Sequence, residues 1–226
     1  MRASLLAVLF ATSALAQTGN LGLFTNSGDI GAPPLKGAVE YNPATREYTI
    51  TGTGSDIWGK ADQFYYVWRE MTGNFSVTAT TKFLTDGNAH RKASIMLRRT
   101  PDADSPFVHF AIHGDGMAAV QFRNTAGGNT STLDFPVAAP GVWTLKLTKQ
   151  GGNVIVAIGP QGGPLRELGH TVSSIGNQVL VGLAVASHSQ QALNTVVFSD
   201  VTVEALPTPA RAGGAPPAAA PAPAGR

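Results

Sequence analysis

The sequence predicts an all-β fold, in which short antiparallel strands form a sandwich or a barrel. Apolar and polar residues alternate along many short segments, and turns containing glycine and proline separate these segments at regular spacing. This pattern is typical of sandwiches and barrels. No run of residues combines a helical period with capping residues, and no fixed-period repeat occurs.

The N-terminal half begins with a predicted hairpin and continues into an aromatic strand. Residues 39–41 and 47–51 flank Asn42-Pro-Ala-Thr45, which has the composition of a turn. A loop containing several glycines then leads to an aromatic strand over residues 64–68. The next strand, residues 75–83, alternates apolar and polar side chains, as a half-buried antiparallel strand does.

Three consecutive strands are predicted over residues 92–99, 107–113 and 117–124. Because tight turns separate them, we expect a meander whose apolar face packs on the core. The opposite face then presents a set of polar side chains as one surface. This set is Arg98, His109, Gln121 and Arg123. The alternation predicts ligand-binding residues here, and both arginines are expected to have no acidic partner on the facing strands.

The C-terminal half supplies the remaining strands of the predicted sandwich. Residues 142–148 and 153–158 bracket Gly151-Gly152 as a hairpin. Three further strands are predicted, over residues 165–171, 178–187 and 195–204.

Four segments resemble the concanavalin A-like domains of the DUF1349 type. They are residues 54–68, 91–98, 120–123 and 181–188, and together they extend over most of residues 21–203. Ser94 stands where that family usually has glycine. The resemblance implies a lectin/glucanase-like jelly roll, a sandwich of two antiparallel sheets. Such domains often accompany glycosidases or β-propellers in secreted bacterial proteins.

The two ends of the chain differ in composition from the predicted domain, residues 17–206. Residues 1–16 combine Arg2, a short apolar core and an Ala-x-Ala ending, which predict a secretory signal peptide. Residues 207–226 are almost entirely alanine, proline and glycine, so they are predicted to form a disordered tail. We therefore expect a secreted or periplasmic protein without a membrane span.

The charge balance argues against nucleic acid as a partner. The chain has 16 basic and 14 acidic residues, but Arg2, Arg211 and Arg226 lie in the two ends. The predicted domain therefore has nearly equal numbers of the two signs, whereas a nucleic-acid protein needs a clustered basic face. The absence of cysteine excludes zinc sites built on thiolates.

No motif assigns a catalytic site. Glycosidases need paired carboxylates, and the glutamates form no closely spaced acidic pattern along a strand. His109 and His113 would lie about 13 Å apart along one strand, too far to bind one metal ion. A polysaccharide lyase is an alternative, because Arg98, His109 and Gln121 are residue types that such jelly-roll enzymes use.

The loop before the aromatic strand holds further candidates. Trp58 either plugs the end of the sandwich or binds a ligand. Tyr65 is predicted at the surface, because the face of Phe64, Tyr66 and Trp68 is expected to pack. Two acidic residues flank Trp58. Asp56 and Asp62 either cap backbone amides or bind a structural calcium ion, and no other cofactor is predicted.

The sequence leaves open whether the protein is an enzyme, and it favours a non-catalytic module. The predicted partner is carbohydrate or another extracellular polymer, bound through the polar sheet face. The alternatives are a hydrolase or lyase acting on polysaccharide, and a structural or interaction module of secreted proteins.

Overall fold

The computed structural model describes residues 19–136 and 140–207. The predicted signal peptide, and the predicted tail from residue 208 onward, lie outside the described residues. Within the described residues the chain forms fourteen strands and no helix, which confirms the predicted all-β class. This part of the chain accordingly has no helix with the length and apolar character needed to cross a membrane.

The strands, in chain order, are β1 (Asn26–Ile30), β2 (Ala38–Asn42), β3 (Glu47–Gly54), β4 (Phe64–Thr72), β5 (Asn74–Phe83), β6 (Lys92–Arg98), β7 (Phe107–His113), β8 (Ala118–Arg123), β9 (Ser131–Phe135), β10 (Trp143–Gln150), β11 (Asn153–Pro160), β12 (Arg166–Val172), β13 (Gln178–Ala186) and β14 (Ser189–Leu206).

These strands form two sheets of seven strands each, and every recorded pairing is antiparallel. The front sheet has the order β1-β4-β13-β6-β7-β8-β9, and the back sheet has the order β12-β11-β10-β5-β14-β3-β2. The late strands β13 and β14 each insert between two early strands. The fold is therefore the predicted jelly-roll sandwich of two antiparallel sheets.

The main core lies between the two sheets and follows the predicted alternation. In the meander β6-β7-β8, the apolar side chains of Ile95, Leu97, Phe110 and Val120 are buried against the back sheet. Burial of one large aliphatic side chain contributes about 1.5–3 kcal/mol, so this face determines the register of all three strands. The side chains that alternate with them lie on the outer face of the front sheet.

The outer face of the front sheet is covered over part of its area, which the alternation did not predict. A smaller apolar cluster there contains Phe64, Tyr66 and Phe107 from the sheet, together with Ile57 from the loop between β3 and β4. Tyr65 points the other way, into the main core, and is 3% exposed. The prediction of Tyr65 at the surface is wrong, because β4 is buried on both faces.

Candidate functional site

A buried ion cluster lies beneath this cover. The Asp62 carboxylate accepts hydrogen bonds from Arg98 Nη1 at 2.7 Å and from Arg123 Nη1 and Nη2 at 2.9 and 2.6 Å. All three side chains are completely buried. Both guanidiniums also lie near the Phe107 ring, at 5.8 and 4.9 Å from its centroid. Asp62 thus neutralises part of the charge of two neighbouring arginines.

Other donors of the two guanidiniums hold the covering loops. Arg123 donates to the carbonyl oxygens of Gly59, Ser105 and Gly128, each at 3.1 Å. Arg98 donates to the carbonyl oxygen of Ala103 at 3.0 Å. The cluster therefore ties three loops to the front sheet: the one after β3, the one after β6 and the one after β8.

The expectation that Arg98 and Arg123 have no acidic partner on the facing strands does not leave them unpaired, because Asp62 pairs with both. Their partner comes from a loop rather than from a facing strand, so strand alternation does not reveal it. A ligand could reach either guanidinium only if the loops opened and the pairing with Asp62 broke. We therefore assign both arginines a structural role.

His109 is also part of this buried layer. Its Nε2 lies 2.9 Å from Gln121 Oε1, and its Nδ1 lies 3.2 Å from Ser94 Oγ. Because a carboxamide oxygen only accepts, Nε2 donates to Gln121 and Nδ1 accepts from the Ser94 hydroxyl. Burial, with the charge of Lys92, lowers the pKa of His109 well below its ordinary value. Neutral His109 links β6, β7 and β8, and it is inaccessible as a base.

Beyond the cover, the outer face of the front sheet opens into a cleft of about 390 Å³. We call it the histidine cleft. Strands β6 to β9 and the surrounding loops supply its lining. The lining residues are Asp56, Trp58, His90, Lys92, His113, Met117, Gln121, Thr132, Asp134 and His188. The cleft brings together two of the predicted ligand-binding residues, Trp58 and Gln121, and leaves out Arg98, His109, Arg123 and Tyr65.

One side of the histidine cleft is an ion-paired wall. The Asp56 carboxylate binds the ammonium of Lys92, whose side chain is 3% exposed, and its Oδ2 lies 3.4 Å from His188 Nδ1. Its Oδ1 also accepts a hydrogen bond from the Ile57 amide at 2.7 Å, which is the predicted capping role. Asp56 is thus held by two cationic or protonatable groups.

Calcium binding at Asp56 and Asp62 stays a prediction. Both carboxylates are engaged by basic side chains, which would have to leave before a cation could take their place. Across residues 19–136 and 140–207, no group of three or more acidic or histidine side chains is arranged to hold a metal ion.

His113 is the most unusual residue of the cleft. It is 3% exposed, yet neither ring nitrogen has a hydrogen-bond partner among the described residues. Burial, with the charge of Lys92, lowers its pKa to about 4. The ring is therefore neutral near pH 7, with one N–H donor and one free acceptor. A buried polar group without a partner is costly, so His113 marks a position where a polar ligand is favoured.

Trp58 provides an apolar surface at the same cleft. It is 40% exposed, although Ile57 and Asp62 of the same loop are buried. The Trp58 ring lines the cleft rather than filling the core, and its binding of a ligand stays a prediction. Asp134 and Thr132, on β9, line the cleft as well.

Sequence reasoning missed most of this cleft. Lys92 and His113 lie on the same face as Ser94 and His109, so the alternation already placed both on the outer side of the sheet. His90 and His188 come from loops and carry no periodic signal. The ring of His90 lies 5.9 Å from that of His113 and 5.5 Å from that of His188, centroid to centroid, an arrangement that only the fold creates.

Comparison with known proteins supports the fold. No protein-family model and no curated protein matches the sequence. Solved structures do match. A functionally unknown protein from Saccharomyces cerevisiae is 14% identical, with a TM-score of 0.62, over 80% of this chain and 96% of that one. The carbohydrate-binding module CBM66 from Bacillus subtilis is 16% identical, with a TM-score of 0.55, over 81% and 98%.

A third similar structure is the GH43 protein BlXynB from Bacillus licheniformis. It is 12% identical, with a TM-score of 0.57, and the match covers 80% of this chain and 39% of that one. At these identities the similarity shows the fold alone. The concanavalin A-like sandwich is thereby supported, while membership of the DUF1349 type stays a prediction.

Proposed function

We propose that the protein binds carbohydrate without catalysis, and that the ligand lies in the histidine cleft. The observation that carries this proposal is that Trp58 and His113 line the same cleft. An exposed indole offers a flat apolar surface for a sugar ring. His113 offers one donor and one acceptor that the described part of the chain leaves unused, and a sugar hydroxyl can both donate and accept.

Other polar groups at the cleft suit the same kind of ligand. The Thr132 hydroxyl donates to Asp134 Oδ1 at 2.5 Å, so the exposed Asp134 side chain and the lone pairs of that hydroxyl are left to accept hydrogen bonds from a ligand. A few polar groups around an apolar surface are the usual composition of a small-molecule site. The fold is shared with a solved carbohydrate-binding module, but the residues of this chain provide the support.

The charges at the cleft favour binding over catalysis. Hydrolysis of a glycosidic bond needs two available carboxylates. Asp56 is paired with the ammonium of Lys92, whereas Asp134 has no basic side chain within 4 Å among the described residues. The lyase alternative relied on Arg98 and His109, and both are sealed beneath the covering loops.

A glycan array followed by titration calorimetry tests the proposal. Trp58→Ala should weaken binding of an array ligand about tenfold or more, because loss of about 1.4 kcal/mol of stacking changes Kd tenfold. Leu165→Ala removes an exposed apolar side chain outside the cleft and serves as the control. An unchanged Kd for the Trp58 variant, or loss of binding in both variants, would contradict the proposal.

We also propose that the domain acts outside the cytoplasm, as a secreted or periplasmic protein. The support is the composition of residues 1–16, with a basic start, an apolar centre and an Ala-x-Ala ending. A protein in that location can reach the carbohydrate polymers of cell surfaces.

A further inference from the structure

A second cleft adjoins the histidine cleft at His113. It has a volume of about 310 Å³, and we call it the arginine cleft. Its lining includes Leu84, Asp86, Arg91 and Gly114, from the segments that follow β5 and β7, and His113 lines both clefts. Each cleft is near the lower end of the size range of small-molecule sites, so each suits a small unit rather than a large ligand.

The arginine cleft contains an unused donor of its own. Arg91 Nη1 donates to the carbonyl oxygens of Gly87 and Asn88 at 3.1 and 3.0 Å, and the guanidinium lies 4.9 Å from the Phe83 ring centroid. These contacts fix the side chain. Its Nε is buried and has no hydrogen-bond partner among the described residues. A fixed guanidinium with a free N–H is ready to bind an acceptor oxygen.

The arginine cleft also has an exposed apolar surface. Leu84 is 52% exposed and lines it, as Trp58 lines the histidine cleft. The two clefts thus repeat one combination, an exposed apolar side chain together with a polar group that has no partner among the residues that the structure describes. They share His113, whose two ring nitrogens are both unpartnered within residues 19–136 and 140–207.

We infer that the two clefts bind successive units of one polysaccharide chain, with His113 at the junction between them. This inference rests on the proposed function. A ligand confined to the histidine cleft would leave Arg91 Nε and the Leu84 surface unused. A chain that continues into the arginine cleft would use both, and it would allow each nitrogen of His113 to bond to a different unit. The preferred ligand is therefore a segment of a polymer rather than a monosaccharide or disaccharide.

The test compares ligand length by titration calorimetry. The probes are disaccharides and hexasaccharides derived from cellulose, xylan and mannan, together with the matching pair for any further polysaccharide found on the array. For a polysaccharide that binds, the hexasaccharide should bind about tenfold or more tightly than the disaccharide, since one additional contact set worth about 1.4 kcal/mol has this effect. Equal affinity for the two lengths would overturn the inference.

Two variants separate the inference from the proposed function. Leu84→Ala should remove most of the advantage of the hexasaccharide and leave disaccharide affinity unchanged, whereas Trp58→Ala should weaken both. Because Leu84 is exposed, its truncation should leave Tm unchanged, and Leu165→Ala is the matched control. A length advantage that survives Leu84→Ala would place the additional contacts elsewhere and overturn the inference. Failure of the wild-type protein to bind any glycan would overturn the proposed function itself.

Discussion

At the scale of single residues, Asp62 has the largest structural role in the cover of the front sheet. It is the carboxylate that meets both Arg98 and Arg123, and all three side chains are fully buried. Removal of one member of a buried ionic cluster is costly because it leaves the remaining charges without compensation. Asp62→Asn keeps the size of the side chain and removes its charge.

We expect Asp62→Asn to lower the free energy of unfolding by about 3–5 kcal/mol, measured by denaturant titration. Asp134→Asn is the control, because Asp134 is exposed and forms no ion pair among the described residues, so its substitution should change the stability by about 0.5 kcal/mol or less. Similar unfolding midpoints for the two variants would show that the cluster contributes little to stability.

His113 predicts a dependence of stability on pH. Its pKa is about 4 in the folded protein, against 6.5 for an unperturbed histidine. Between these values the unfolded chain binds a proton at this position and the folded chain does not, so the free energy of unfolding falls as the pH is lowered. The contribution of neutral His113 to the free energy of unfolding is fully present above about pH 6.5 and is lost by about pH 4. The loss amounts to at most about 3 kcal/mol.

The measurement is the free energy of unfolding of the wild-type protein and His113→Asn from pH 7.5 to pH 4. The variant should show a shallower fall across this window. The comparison is necessary because burial also lowers the pKa of His109, which adds a fall of the same sign to both proteins. Parallel curves for the two proteins would contradict the assignment to His113.

At the scale of elements, the loop between β3 and β4 packs closely against the backbone of the segment that follows β1. Gly31 has φ +72°, and a Cβ atom built there would lie 1.8 Å from the carbonyl oxygen of Asp62. Gly73 has a similar φ of +80°, but beyond its own chain neighbours no atom of the described residues lies within 4 Å of an added Cβ. The two glycines therefore share the conformational requirement and differ in the space around them.

This pair makes a matched test of the loop contact. Gly73→Ala should lower the free energy of unfolding by about 1–2 kcal/mol, the cost of the left-handed conformation alone. Gly31→Ala should cost at least about 2 kcal/mol more, because the backbone of the loop must also move. Thermal and denaturant unfolding of both variants measure the difference, and equal losses would mean that the loop shifts without cost.

The elements also show how far the sequence could predict the structure. Alternation correctly assigned the faces of β6, β7 and β8, since one face of each carries polar residues. It failed for Tyr65, since Phe64, Tyr65, Tyr66 and Val67 are all apolar or aromatic and a strand buried on both faces has no alternation. It could not reveal the pairing of Asp62 with Arg98, 36 residues away, because that contact depends on the path of a loop.

At the scale of the whole molecule, export of the chain is the prediction with a direct test. Expression with the full N-terminus in a bacterial host should yield secreted or periplasmic protein that begins at Gln17, because residues 1–16 end in an Ala-x-Ala sequence. Intact-mass measurement of that material identifies the first residue. Retention of residues 1–16 on the mature protein, or accumulation in the cytoplasm, would contradict the prediction.

The covering loop also determines the shape of the cleft that the proposed ligand would meet. Arg123 Nη2 donates to the carbonyl oxygens of Trp58 and Gly59, at 3.4 and 3.1 Å, so the same guanidinium that pairs with Asp62 fixes the backbone beneath the indole. The cleft is thus preorganised, and little backbone entropy remains to be lost when a ligand is bound. The interior of the cover can stay constant while exchange of the side chain at position 58 alters which ligand is preferred.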